Sequence, residues 1–100
     1  STIAALPHIV KAVKGKTEIY MDGGIRSGQD VLRALALGAD GVMIGRAFLY
    51  ALGAAGQAGV ERCLEIIKNE LDVSMALCGK NRIEELTRDV LLNPSIYDRF

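Results

Sequence analysis

Met21-Asp22-Gly23-Gly24-Ile25-Arg26 and, one helix further on, Ile44-Gly45-Arg46 are the stretches of this 100-residue chain whose reading decides its fold. Each closes a short apolar run, Ile19-Tyr20-Met21 in the first case and Gly41-Val42-Met43-Ile44 in the second. Runs of this length between turn residues suit strands buried on both faces. Between them Ser27 is an N-cap, and Asp30 supplies the Ser-x-x-Asp form of a capping box. Val31, Leu32, Leu35 and Ala36 then fall on one side of a helix over 28–37 that Gly38 closes. The order is strand, Gly/Arg loop, helix, strand, Gly/Arg loop, helix, and two strands joined through a helix require a crossover to a parallel neighbour.

Working outward, Ile3, Leu6, Ile9, Val10 and Val13 predict a helix over 2–13, with Pro7 tolerated near its start and Gly15 at its end. After Arg46, a short apolar helix over 48–52 and a glycine-rich break over 53–59 are expected. A long amphipathic helix follows, with Val60, Cys63, Leu64, Ile67, Leu71 and Met75 on its apolar face. Glu61, Arg62, Glu65, Lys68 and Glu70 face outward, and Gly79 ends the helix. A turn over 83–86 and a surface strap from Asn93-Pro94 to the end complete the chain.

Two parallel strands with flanking helices leave both sheet edges unpaired. The chain therefore reads as a partial α/β domain over 1–100, the C-terminal quarter of a TIM (β/α)8 barrel: its last two βα units plus C-terminal helices. In such barrels a phosphate site is commonly built by the loops after the seventh and eighth strands, which would be the two Gly/Arg loops.

Composition narrows the class. Twelve basic and twelve acidic residues cancel, giving no basic face for nucleic acid. There is no basic-then-apolar leader. The apolar stretch over 47–60, broken by glycines and Gln57, is shorter than a membrane span, which leaves only peripheral membrane association open. Cys63 and Cys78 lie on one helix, roughly 22 Å apart at the helical rise, beyond disulfide reach. They read as small buried apolar residues in a reducing compartment, and no spacing of His or Cys suggests a metal.

The two loops carry the chemistry. Gly23-Gly24 has no side chains to hold a ligand off the backbone, and successive N–H groups in such a turn converge on an anion. The start of the following helix adds its positive end. Arg26 brings a permanently charged fork matched to two phosphate oxygens, and Gly45-Arg46 repeats the arrangement. Asp22 would repel phosphate and suits the hydroxyls of an attached sugar or sugar alcohol. Arg33, Arg62, Arg82, Arg88 and Arg99 read as solvated charges, and His8 as a surface or packing residue.

At these residues the sequence resembles a family. Met21 to Val31, Ala34-Leu35-Ala36-Leu37-Gly38-Ala39-Asp40, and Ile44-Gly45-Arg46 are similar to the FMN-dependent α-hydroxy-acid dehydrogenases and oxidases. The resemblance spans residues 2–92, and Arg46-Ala47-Phe48-Leu49-Tyr50-Ala51-Leu52 is most similar to the bacterial respiratory L-lactate dehydrogenases. It implies FMN as cofactor, with Asp22, Gly23, Gly24, Ile25 and Arg26 near the ribityl chain and phosphate and Gly45 and Arg46 at the phosphate. It further implies a 2-hydroxy acid substrate, L-lactate first, and an electron acceptor that is a quinone, a cytochrome or oxygen. A homo-tetrameric whole enzyme is implied, cytoplasmic or peripheral at the cytoplasmic face of the inner membrane.

The family's catalytic histidine belongs to a His-Gly-Gly-Arg segment preceding the first helix, whose arginine binds the substrate carboxylate. No such segment occurs here. No catalytic residue is therefore expected in this chain, and alone it should oxidise no hydroxy acid. Two alternatives stand beside this reading. One is an inosine-monophosphate dehydrogenase-like barrel, which shares the Asp-Gly-Gly-Ile and Ala-Leu-Gly-Ala-Asp stretches; the other is an inactive barrel fragment serving as an anion-binding module.

Overall fold

A computed structural model describes residues 1–99 of the chain, and its side chains through residue 97. The elements are α1 (Thr2–Val13), β1 (Tyr20–Asp22), α2 (Gly28–Ala36), β2 (Gly41–Met43) and α3 (Arg46–Leu77), followed by single 3-10 turns at Ile83–Glu85 and Arg88–Val90 and a longer one at Pro94–Arg99. Strands β1 and β2 pair in parallel, in the register Tyr20 to Gly41, Met21 to Val42 and Asp22 to Met43. The last residues of the two strands are thus neighbours, and both Gly/Arg loops leave the same end of the sheet.

The strands are shorter than the apolar runs. Ile19 stands outside β1 because Asp40 brackets it: the Asp40 carboxylate accepts the Ile19 N–H at 2.8 Å, and the Ile19 carbonyl accepts the Asp40 N–H at 2.7 Å. This bracket fixes the start of the pairing. The expectation of strands buried on both faces is corrected: Met21 is buried, but Tyr20 and Met43 are each more than half exposed. Among the described residues, the Met21 face of this two-stranded sheet is covered and the face with Tyr20 and Met43 is left open. On the open face the Tyr20 ring lies across Gly41, where a Cβ would come within 2.7 Å of it. The Glu18 carboxylate accepting the Tyr20 O–H holds that hydroxyl above its usual pKa.

The core joins Leu6, Met21, Ile25, Val31, Ala34, Leu37, Ala39 and Ile67. A smaller cluster of Leu32, Met75 and Leu86 sits beneath the far end of α3. Tyr97 packs against the main core, so the C-terminal segment does strap the surface over α1. The end of that strap at Phe100, and the side chain of Arg99, lie outside the described residues.

Helix boundaries differ from the sequence reading in instructive ways. At the end of α1 it is Lys14 (φ 54°) that caps in the left-handed conformation, with Gly15 following at φ 74°. The short apolar helix and the long one form a single element with a kink at Ala55-Gly56, where Gly56 has φ 59° and ψ −140°, a combination essentially confined to glycine. Gly53 and Gly59 are helical, so the expected break is two residues wide. Gly59 is required for another reason, because a Cβ there would strike the Ala51 carbonyl oxygen at 2.1 Å.

Glu70, expected to face solvent, instead turns toward α2 and accepts the Gly28 N–H at 3.3 Å. Leu64 of the expected apolar stripe is half exposed. Cys63 is half-buried as a free thiol, whereas Cys78 is exposed at the C-cap of α3, past the stretch that the smaller cluster covers. Arg33, Arg62 and Arg82 form surface pairs with Asp30, Glu65 and Glu84. Arg88 is half-buried and donates to the Pro94 carbonyl at 2.7 Å.

Helix α2 packs tightly against α3 at Gly28, where a Cβ would lie 2.1 Å from the Leu71 backbone nitrogen. No side-chain rotation relieves a clash with backbone. Gly28→Ala should therefore destabilise the protein by about 1–3 kcal/mol, read as a lowered urea midpoint; an unchanged midpoint would show that the helices separate freely.

Candidate functional site: an anion cleft at the strand ends

The parallel register carries Asp22, Gly23, Gly24, Ile25, Arg26, Gly45, Arg46 and Ala47 to one cleft of about 440 Å³. All seven residues expected at the site are therefore brought together. Ala47 joins them as the one lining residue that sequence reasoning did not name; its signal was its place in the first turn of the helix after Gly45.

The first loop is built by a pin and two turns. Gly23 and Gly24 adopt φ 100° and 78°, the conformations that let the chain reverse at the strand end. The Ile25 side chain is 4% exposed and lies in the main core, so it fastens the loop while only its backbone can face the cleft. Burial of such a side chain contributes about 1.5–3 kcal/mol.

The two helix starts are not equivalent. At α2, Ser27 Oγ accepts the Asp30 N–H at 3.2 Å, Asp30 Oδ2 accepts the Arg26 N–H at 3.0 Å, and Glu70 accepts from Gly28. Two of this chain's own carboxylates thus occupy the positive end of α2. Helix α3 begins at Gly45, which has no side-chain cap, and its first residues, Arg46 and Ala47, line the cleft. The expected contribution of the helix following Gly23-Gly24 is corrected accordingly: the open helix end belongs to α3.

Among the described residues, the guanidinium groups of Arg26 and Arg46 have no hydrogen-bond or ion-pair partner. Two permanently charged forks beside an uncapped helix end form a donor set suited to phosphate. At Gly24 and Gly45 a Cβ would meet nothing within 4 Å, so open space stands where a ligand can reach the backbone. The Asp22 carboxylate lies at the edge, accepting the Gly23 N–H at 2.9 Å. A larger hollow of about 700 Å³ adjoins the loop on its other side, along Thr2, Ile3, Met21 and Tyr97. Its arginine, Arg33, is already paired with Asp30, which leaves the smaller cleft as the candidate anion site. His8 lines a separate depression with Lys11 and Arg88, away from both.

A parallel βα pair with two unpartnered arginines in a cleft at its strand ends has the architecture of an anion-binding α/β protein. The family profile described as FMN-dependent dehydrogenase matches residues 1–93, so the chain belongs to that family of oxidoreductases, whose cofactor is FMN. It is 55% identical over 95 residues to the L-lactate dehydrogenase of Actinobacillus pleuropneumoniae serotype 5b (strain L20), covering 95% of this chain and 25% of that protein. Among solved structures, the flavin-binding domain of baker's yeast flavocytochrome b2 superposes with a TM-score of 0.87 at 40% identity, over 98% of this chain and 26% of that one. A mandelate oxidase variant carrying an FMN adduct superposes with a TM-score of 0.82 at 48% identity, over 86% and 27%. The chain spans about a quarter of the length of the relatives it matches. The inosine-monophosphate dehydrogenase-like alternative is not favoured, and the donor set of the cleft fits the phosphate of FMN.

Gly45→Ala separates binding from folding. Its added methyl enters open cleft space, so the thermal midpoint should change little while FMN affinity measured by fluorescence titration falls. Equal affinity in the variant would place the phosphate elsewhere.

Proposed function

We propose that this chain is the FMN-anchoring part of a 2-hydroxy-acid dehydrogenase, forming the last two βα units of its (β/α)8 barrel. Arg26, Gly24, Gly45 and Arg46 hold the phosphate, and Asp22 accepts from the ribityl hydroxyls. The observation that carries this reading is the pair of unpartnered guanidiniums sharing one cleft at adjacent strand ends, in a chain of this family. FMN, when bound, takes up the two electrons released as the hydroxy acid becomes a 2-oxo acid.

What this chain supplies is position. The two arginines and the α3 N-terminus fix the tail of the cofactor, and the pinned Ile25 keeps the loop from yielding. The half-exposed thiol of Cys63, 3.8 Å from the Ala47 carbonyl, supports the first turn of α3 from behind. On this reading the proton-accepting histidine and substrate-binding arginine come from other segments of the complete enzyme, because this sequence has no His-Gly-Gly-Arg segment.

L-lactate is the substrate that the 55% identity to an L-lactate dehydrogenase supports. The 48% identity to mandelate oxidase favours mandelate as the second reading. The whole enzyme on this reading is a tetramer passing electrons to a quinone, a cytochrome or oxygen. It works in the cytoplasm or at the inner face of the membrane. Any attachment there would be peripheral on this reading.

In the full-length enzyme, Arg46→Glu should weaken FMN binding by at least about a hundredfold, because it removes a charge-assisted contact and adds a repulsive charge. Arg33→Gln, away from the cleft, should leave FMN binding unchanged. The 100-residue chain mixed with FMN and L-lactate without oxygen should leave the flavin oxidised. Retention of FMN by the Arg46 variant would remove that residue from the site, and bleaching of the flavin by the chain alone would place a base within it.

A further inference from the structure

The Gly23-Gly24 turn is held from outside its own loop. Thr2, the first residue of α1, donates its hydroxyl to the Gly23 carbonyl at 3.2 Å. A Cβ on Gly23 would meet that same Thr2 Oγ1 at 3.1 Å, so α1 and the turn are in close contact. On its other side Gly23 donates its N–H to Asp22. Both polar backbone groups of Gly23 are therefore occupied, one by a carboxylate and one by a hydroxyl.

The next donor in the loop is the Gly24 N–H, which has no partner among the described residues. The Gly23-Gly24 peptide is trans, and in a trans peptide the C=O and the following N–H point in opposite directions. Gly23 and Gly24 form the wall between two hollows. Thr2 lines the larger hollow and is absent from the cleft that Arg26, Gly45 and Arg46 line. A carbonyl held toward Thr2 turns the Gly24 N–H toward the arginine side.

We propose that Thr2 is a positioning residue for the cofactor phosphate: its hydroxyl fixes the Gly23 carbonyl on the α1 side of the loop and thereby aims the Gly24 N–H into the arginine cleft. Two glycines in succession at positive φ are the residues freest to rotate that peptide. An external latch is what such a turn lacks within itself. The hydroxyl does not touch the ligand; it selects one of the two orientations of the peptide, so the donor is in place before the anion arrives.

This inference rests on the reading of the cleft as the FMN phosphate site, and the test separates the two. The full-length holoenzyme is stripped of flavin, and the affinities of FMN and of riboflavin, which lacks the phosphate, are measured for the unsubstituted protein, Thr2→Val, Thr2→Ser and Arg46→Glu. Thr2→Val keeps the size of the side chain and removes the donor. FMN affinity should fall about five- to tenfold, riboflavin affinity should not change, and Thr2→Ser should restore FMN binding. The apoprotein melting temperature should be the same in both Thr2 variants. Equal FMN affinity in Thr2→Val, with the expected loss in Arg46→Glu, overturns the role of Thr2 and leaves the phosphate site standing. Equal loss of FMN and riboflavin affinity, or no rescue by serine, shows a merely structural contact and also overturns it. Undiminished FMN binding in Arg46→Glu overturns the phosphate site and the inference with it.

Discussion

The in-register parallel pairing of β1 with β2 is the constraint on which the rest of the structure depends. Only three residues of each strand pair, yet the final pair sets Asp22 beside Met43, so two loops separated by a whole helix emerge side by side. A slip of one residue would turn every side chain of a strand to the opposite face. It would take Met21 out of the core and stagger the two Gly/Arg loops. The bracket between Asp40 and Ile19 guards against that slip from the far end, with a carboxylate and two backbone groups acting on one residue. At the near end Ile25 performs the matching task, anchoring the first loop in the same core that α2 and α3 build.

Given that pairing, the two loops divide their labour. The first offers a turned backbone and one arginine, and the helix behind it is closed off by Ser27, Asp30 and Glu70. The second offers an uncapped helix end and the other arginine. Had both helix starts been open, the anion would have two competing positive ends, with less to choose between its positions. Closing α2 with this chain's own carboxylates leaves a single direction of approach, toward α3. On the proposed reading the glycine at the start of α3 serves this end, because a serine or aspartate there would satisfy the donors that an anion would use.

What could be read from the sequence was whatever neighbours along the chain determine. The Ser27–Asp30 box, the helix periodicities, the Gly-Gly turn and the gathering of Asp22 to Arg26 with Gly45 and Arg46 all follow from local pattern plus one topological rule. What could not be read depends on contacts between distant segments. Glu70 looked like an outward charge because its partner, the Gly28 N–H, lies 42 positions away. Tyr20 and Met43 looked like core residues because an apolar strand carries no mark of how many of its faces are covered. Leu64 follows the helical period, but a period gives a direction around the axis and says nothing of whether anything stands opposite, and Cys78, read as buried, falls at the exposed C-cap just past the last turn. The position of the kink was hidden among several glycines, of which only Gly56 takes a backbone conformation that other residues avoid.

The placement of the arginines also bears on what kind of catalytic contribution this part of the molecule can make. On the proposed reading the arginines hold the phosphate of FMN, which does not react, so contacts to it are the same before, during and after electron transfer. Binding that is uniform along a reaction stabilises the ground state and the transition state alike and cannot by itself lower the barrier between them. Its value lies in position: a cofactor fixed at its tail presents its reacting end at a constant distance from whatever stands across the barrel. That work asks for a fixed loop, and the contacts at the cleft are of that kind: a buried Ile25, a Gly23 with both polar backbone groups hydrogen-bonded, and an Ala47 carbonyl that accepts from Cys63 of a later α3 turn. On the proposed reading, the proton transfer of the whole enzyme falls to residues outside this cleft, because the groups that would hold the phosphate are arginines and backbone N–H donors, which keep their protons.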